Sequence, residues 1–394
     1  MIAVKEAKKI IGENIVPLKD MRVPLPDALG LYLSADIFAS MDIPAFAQSS
    51  MDGYAFAFAD WKAEQPLSIA GEMAAGSNEN IQLLPGQAVR IFTGAAVPEG
   101  ADTVVMQEKV KAADGKLFIE DSKLEAGGNV RPKGSEIKAG EKALTAGSVI
   151  SPAAIGFLTG IGITHVTVYP KPRISIIVTG KELQQPGQPL QYGQVYESNS
   201  FTLTAALQQI NINDVKTLWA DDDLEILKQV LQNALLQADI VLLTGGISVG
   251  DYDFVLEAAT QCGVTQLFHG IKQRPGKPLY FGKKNEQPVF GLPGNPSSVL
   301  TCFYQYVVPA LQLMSNTKNT LQTKRVKLGK AVRKAAGLTH FLKGYYDGEK
   351  AMPLDAQESY RLSSFAKANC LVQVDEDITD LNEGENVIIH ILPR

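Results

Sequence analysis

Residues 238–254, ADIVLLTGGISVGDYDF, restrict the choice of fold more than any other stretch of the chain. Ile240 to Leu243 form an apolar run of the length and β-branched character of a strand covered on both faces. The run ends in Thr244-Gly245-Gly246, followed by Ser248, Gly250, Asp251 and Asp253. Paired glycines let a backbone turn tightly and let a ligand approach it closely. From Asp253 to Cys262 the spacing is helical, so the loop would aim free N–H groups at whatever binds there. Strand, glycine loop and helix start make an anion pocket at the carboxyl ends of an open α/β sheet. Two aspartates in such a pocket point to a bound metal, because bare carboxylates repel an anion.

A chain of 394 residues has room for two to four domains at about 150 residues each. Hydrophobic residues make up 45% and charged residues 20%, enough apolar material for several cores. The net charge of −5 gives no global basic field, so nucleic acid is not an expected partner. No apolar run is long enough to cross a bilayer, and no leader pattern opens the chain, so a cytoplasmic protein without a membrane partner is expected. Cys262, Cys302 and Cys370 are odd in number and far apart, which fits neither a disulfide framework nor a Cys-rich metal site. His165, His269, His340 and His390 show no ligand spacing, so zinc catalysis is not expected.

Taken in order, the chain changes texture three times. Residues 2–13 have the pattern of a short amphipathic helix, and Ile43-Pro44-Ala45-Phe46 is an extended linker. The following QSSMDGYA holds Asp52 in an Asp-Gly turn, where on local chemistry alone it is a turn cap. From Leu67 to about Ile119, short alternating runs broken by glycine and proline predict a small β domain. Residues 127–136, GGNVRPKGSE, form a glycine loop carrying Arg131, Lys133 and Glu136, which suits either a solvated hairpin tip or phosphate contact. Pro152 to Gly160 predicts a helix with proline in its first turn. A β segment inserted between helical stretches assigns 1–40 and 134–170 to one discontinuous domain around an insert of 41–133.

From Arg173 strands alternate with helices, which predicts a mostly parallel sheet with right-handed crossovers over 171–318. Asp221-Asp222-Asp223 starts one of its helices, the acids complementing the helix dipole. Asn295 is placed as a cap with Pro296 behind it, leaving the following amides to an anion. Residues 319–394 return to short strands and form a separate β domain. The expected class is therefore multidomain α/β plus β.

Eight motifs in this order resemble the molybdopterin molybdenumtransferase family, the bacterial MoeA proteins and the E domain of animal gephyrin. Five of them, TGKEL at 179–183, ESN at 197–199, TGGISVGDYDF at 244–254, RPGKP at 274–278 and GLPGNPSS at 291–298, look like a molybdenum-cofactor-binding domain. The other three, QSSMDGYA at 48–55, FTGAAVPEGADTVVMQE at 92–108 and GGNVRPKGSEI at 127–137, narrow the likeness to that family. The resemblance implies an extended helical domain, an inserted β domain, a central α/β sandwich, a C-terminal β-barrel and a homodimer. It also implies insertion of molybdate into adenylated molybdopterin with release of AMP, assisted by Mg2+ or another divalent cation. Molybdopterin adenylyltransferase and molybdoenzyme apoproteins are the partners it suggests.

Carried over residue by residue, the resemblance makes Asp52, Glu182, Asp253 and Lys277 catalytic, and Asp221, Asp253 and Glu182 metal ligands. It assigns substrate binding to Thr93, Arg131, Glu136, Gly245, Gly246, Ser248, Asp251, Arg274, Gly294, Asn295, Ser297, Ser298 and Ser363. Ser363 enters through the Ser-Ser loop of 360–369, a turn that is also common for structural reasons. Three positions depart from the family pattern: Lys181 where an acid is usual, Glu136 where Asp is usual, and Arg274 where Lys is usual. Arginine keeps the charge and adds a bidentate fork, so phosphate binding survives that change. An adenylyltransferase built on the same α/β module, or a gephyrin-like dimeric scaffold, are the alternatives. The adenylyltransferase would not need the motifs at 48–55, 92–108 and 127–137, and the intact acidic and basic pocket residues weigh against a scaffold without turnover.

Overall fold

Two apolar runs organise the larger part of the molecule. In the computed structural model they are strands β1, Ile174–Thr179, and β3, Ile240–Thr244, and every residue of both is buried. With β2 (Val215–Ala220), β4 (Thr265–His269), β5 (Tyr280–Lys284) and β6 (Gln287–Leu292) they form a six-stranded sheet in the order β2-β1-β3-β6-β5-β4. β2, β1, β3 and β6 run parallel, and β5 is antiparallel to both of its neighbours. Residues 1–79, 81–247, 254–317 and 321–393 are described. They divide into two units, Met1–Met21 with Tyr169–Arg394, and Arg22–Val168.

Side-chain alternation decides which helix covers which face. Ile174, Ile176, Val178, Ile240 and Leu242 share a core with Leu203 and Leu207 of helix Asn199–Gln209. Ile177, Val241 and Leu243 face the other way, against Leu227, Leu231 and Ala234 of helix Leu224–Gln237. The chain leaves β1 toward β2 on one face and returns past it to β3 on the other. The carboxyl ends of β1 and β3 are therefore the point where strand order reverses, the usual ligand crevice of an open α/β sheet.

The first helix, Val4–Asn14, corrects the expected assignment of 1–40 to one domain. Val4, Ala7 and Ile11 are buried in the same core as Ile174 and Ile240, and Ile2 pairs with Ile271. An amphipathic pattern shows that a helix must bury a face, not against what. Burying an aliphatic side chain such as Val4 or Ile11 is worth roughly 1.5–3 kcal/mol, so the first turns follow the largest available core.

The strands near the C-terminus close into a five-stranded barrel. Thr339–Tyr346 pairs with both Lys350–Pro353 and Cys370–Val374, and Thr323–Leu328 and Asn386–Ile391 complete the ring. A two-residue strand, Gln273–Arg274, joins its edge beside Thr339 and His340.

In the second unit, Val23, Leu25 and Leu33 pack with Ile150, Leu158 and Val166, and Ser151 caps helix Pro152–Gly160 through the Ala154 amide. A second six-stranded sheet there follows the order Thr103–Met106, Gly53–Phe56, Gln87–Ile91, Leu67–Met73, Lys116–Ile119 and Val110–Ala113. Among the described residues no helix is long and apolar enough to cross a membrane.

Candidate active site

At the carboxyl ends of β1, β3 and β6 lies a cavity of about 900 Å³. Thr179, Thr244, Gly245 and Gly294 line it where those strands end, and Arg274, Lys277 and residues 357–360 of the barrel form the opposing walls. Gly245 has φ +91°, and a Cβ there would be driven onto the Thr179 carbonyl. Only glycine lets β3 turn away this close to β1. Asn199 ties the strand ends together, donating from Nδ2 to Thr244 Oγ1 at 2.9 Å and to the Gly294 carbonyl at 2.8 Å. Glu197, 2% exposed, accepts from the Ser200 amide and hydroxyl at 2.7 and 2.6 Å, which fixes the start of that helix.

The cationic wall is held from behind. Gln273 is buried and donates from Nε2 to the carbonyls of Pro275 and Gly276, at 3.0 and 3.2 Å. Its Oε1 accepts from the Tyr306 hydroxyl. The loop is fixed while Arg274 and Lys277 remain exposed, with no ion-pair partner among the described residues. Beside them, burial pushes His340 down to about 4, and Lys334 and Arg274 add to the shift. The imidazole is therefore neutral near pH 7, and the fixed positive charge of this wall comes from arginine and lysine.

The predicted residues do not all fall together. Glu182, Gly245, Arg274, Lys277, Gly294, Asn295 and Ser298 line the cavity, and Gly246, with φ +59°, continues the turn after Gly245. Ser248, Asp251 and Asp253 lie outside the described residues. Ser297 is fully buried and its hydroxyl has no partner among the described residues. Asp221 is exposed and does not line the cavity. Its neighbour Asp222 instead accepts from Thr179 Oγ1 at 2.8 Å and the Lys181 amide at 3.0 Å, bracing the end of β1. Ser363 is exposed on the short helix Leu362–Phe365, and the barrel residues on the cavity wall are Leu338 and Gln357 to Tyr360.

The expected free amides after Asn295 also need correction. The Ser297 amide donates to the Ser359 carbonyl at 3.1 Å, and the amides of Ser298 and Val299 donate to the Asn295 carbonyl. Asn295 Nδ2 reaches Ser359 Oγ at 3.1 Å rather than capping its own helix. A barrel loop has taken the place an anion was expected to fill. Asn199 was missed as a functional residue, although the ESN motif marks it. Sequence spacing gives no signal for Ser359.

The second unit gathers its own cluster. Asp52 Oδ1 accepts from both the amide and the hydroxyl of Thr93, each at 2.8 Å. These bonds, the amide first, hold its carboxyl below the usual carboxylate range, and Arg90 adds to the effect. Arg90 lies between the rings of Tyr54 and Phe92, at 5.1 and 5.0 Å from their centroids, and donates to the Gly53 carbonyl at 3.1 Å. Arg131 enters through strand pairing, opposite Gln48, with Val130 opposite Ser49. Glu136 is exposed, and its amide donates to the Ile43 carbonyl at 2.9 Å.

The motif around Asp52 requires glycine for close approach rather than for a turn. Gly53 opens a strand, and a Cβ there would collide with the Val105 carbonyl of the neighbouring strand. Gly53→Ala is expected to cost about 2 kcal/mol through overpacking. Denaturant unfolding checks it, and an unchanged midpoint counts against the contact.

Among the described residues no three His, Cys, Asp or Glu side chains gather as metal ligands. Glu182 is the predicted ligand that faces the cavity. One carboxylate suits a Mg2+ ion completed by water and substrate phosphate oxygens, a common mode for that ion, better than an all-protein cage.

Comparison with known proteins accounts for nearly the whole chain. Residues 2–162 match the family described as MoeA N-terminal region (domain I and II), 175–313 the "Probable molybdopterin binding domain", and 325–392 the MoeA C-terminal region (domain IV). The molybdopterin molybdenumtransferase of Haemophilus influenzae is 32% identical, over 99% of this chain and 98% of that protein. The protein of the same name from a Nostoc species is 34% identical, over 100% and 94%. The fold is similar to the crystal structure of the molybdopterin biosynthesis MoeA protein from Pyrococcus horikoshii, with a TM-score of 0.86 at 29% identity, covering 100% of this chain and 99% of that one.

Proposed function

The chain belongs to the molybdopterin molybdenumtransferase family, and from that membership we propose that its α/β cavity grips a phosphorylated pterin for molybdenum insertion. The reading rests on Arg274 and Lys277, two exposed cations without an acidic partner among the described residues, facing a glycine-lined sheet end. Adenylated molybdopterin carries the pyrophosphate that such a wall suits, and AMP leaves when molybdate is inserted.

Each residue then has a task. Arg274 offers a planar fork and Lys277 a mobile ammonium to the phosphoryl oxygens, so negative charge developing on the leaving AMP is offset where it forms. Gly245 and Gly294 admit the ligand close to the backbone, and Asn199 keeps their two loops in register. Glu182 would hold Mg2+, which supplies charge neutralisation at the anhydride when bound. We assign Asp52, its charge secured by Thr93, a part in the same reaction. We read the protein as a cytoplasmic homodimer that receives its substrate from molybdopterin adenylyltransferase and passes its product to molybdoenzyme apoproteins.

The test is turnover with defined components. Purified protein supplied with adenylated molybdopterin, molybdate and Mg2+ is expected to release AMP and yield a cofactor that reconstitutes an apoenzyme. Chelation by EDTA is expected to slow this at least tenfold, with recovery on adding Mg2+ back. Formation of an AMP adduct from molybdopterin and ATP, without AMP release in the first assay, would overturn the reading in favour of the adenylyltransferase.

A further inference from the structure

Behind the barrel wall of the cavity sits a lysine that the reaction chemistry does not call for. Lys343, on barrel strand Thr339–Tyr346, is only 2% exposed. Its ammonium donates to three backbone carbonyls of one loop: Ala356 at 2.7 Å, Arg361 at 3.0 Å and Glu358 at 3.3 Å. All three ammonium donors are thereby used, and no carboxylate is bonded to them. The same strand position holds the loop a second time. The Lys343 amide donates to Gln357 Oε1 at 3.0 Å, and Gln357 Nε2 returns a bond to the Lys343 carbonyl at 2.8 Å. Ser364 closes the loop from the other end, donating to the Ala356 carbonyl at 2.7 Å.

The loop so held is the one that faces the cavity. Gln357, Glu358, Ser359 and Tyr360 line it, and Ser359 meets both Asn295 and the Ser297 amide across the gap. A buried charge is costly, and spending all three of its donors on carbonyl dipoles indicates a shape that must be fixed. Phe341, two residues earlier on the same face of the strand, is buried in the core shared with the α/β sheet, so an apolar side chain at position 343 would have packed there without that cost. From this we propose that Lys343 is a positioning residue for molybdenum transfer, setting the 356–361 loop so that the barrel presents Ser359 and Tyr360 to the substrate. The proposal rests on the cavity being the substrate site.

The experiment compares adenylated molybdopterin binding and steady-state turnover in the wild type, Lys343→Met and Lys343→Arg. Lys343→Met is expected to raise KM and Kd about tenfold, the effect of losing a charge-assisted set of bonds, with kcat within twofold of wild type. Lys343→Arg, which keeps the charge and several donors, is expected to recover most of that loss. Failure of the wild type to bind the ligand would strike the substrate site itself. A wild type that binds, beside a Lys343→Met protein with unchanged KM, would overturn the positioning role alone. Equal loss in kcat and KM without rescue by arginine would also overturn it. Should Lys343→Met not fold, Ser359→Ala carries the test: it removes only the bridging hydroxyl, and about a threefold rise in KM is expected. An unmoved KM there counts against the proposal.

Discussion

The double variant Arg274→Ala/Lys277→Ala is expected to bind adenylated molybdopterin about a thousandfold more weakly, because each lost charge-assisted contact is worth roughly 1.5–3 kcal/mol. Both side chains are exposed, and neither holds up the loop that carries it. That task belongs to Gln273, whose amide bonds to the Pro275 and Gly276 carbonyls persist in the variant. Folding should therefore be preserved while affinity falls, and titration calorimetry beside a thermal melt separates the two. Rising salt should weaken wild-type binding more than that of the variant, since the variant has lost the two cations that salt screens. A double variant that keeps wild-type affinity would remove this loop from the substrate site.

The same loop illustrates what could be read before any coordinates. The runs ending at Thr179 and Thr244 are apolar on both faces, Ser175 excepted, as a strand covered on both sides needs, and both form it. The glycines after Thr244 likewise predict close backbone approach, and Gly245 lies against the Thr179 carbonyl. Distances between chain segments were not legible in the same way. Three consecutive aspartates follow β2, and nothing local says that Asp222 braces Thr179 while Asp223 caps the next helix through the amides of Glu225 and Ile226. Ser359 and Ser363 are four residues apart, yet the barrel presents the first to the cavity and the second to solvent. Lys343 did leave a signal. In THFLKGYY the buried positions are Thr339, Phe341, Lys343 and Gly344, and the alternation of the first three places a lysine on the covered face. Only the fold reveals the three carbonyls that make this tolerable.

Asp52→Asn is expected to lower kcat for molybdenum transfer at least a hundredfold while leaving the fold untouched, a loss of the size expected when a preorganised charge is removed. The substitution is informative because of how Asp52 is held. Both bonds from Thr93 end on Oδ1, and an asparagine can accept both through its own carbonyl oxygen, so geometry survives and only charge is lost. In the wild type the Thr93 bonds lower the carboxyl's affinity for protons. A lowered folded-state value means that the ionised form is favoured above the ordinary carboxylate range and given up only as pH falls below it. Asp52 should therefore contribute no acidic limb to the rate between pH 5 and 8, and an acid limb in that window that vanishes in Asp52→Asn would contradict a permanently charged role. Subunit mixing then tests whether Asp52 and Glu182 act in one site. If Asp52 and Glu182 serve one site from different copies of a homodimer, mixing Asp52→Asn with Glu182→Gln should restore roughly a quarter of wild-type activity, since half the dimers are mixed and each has one intact site. If both residues act from the same copy, every site in the mixture is defective and no recovery follows. Recovery above the sum of the separate variants thus decides whether the charge secured by Thr93 works across a dimer or within one chain.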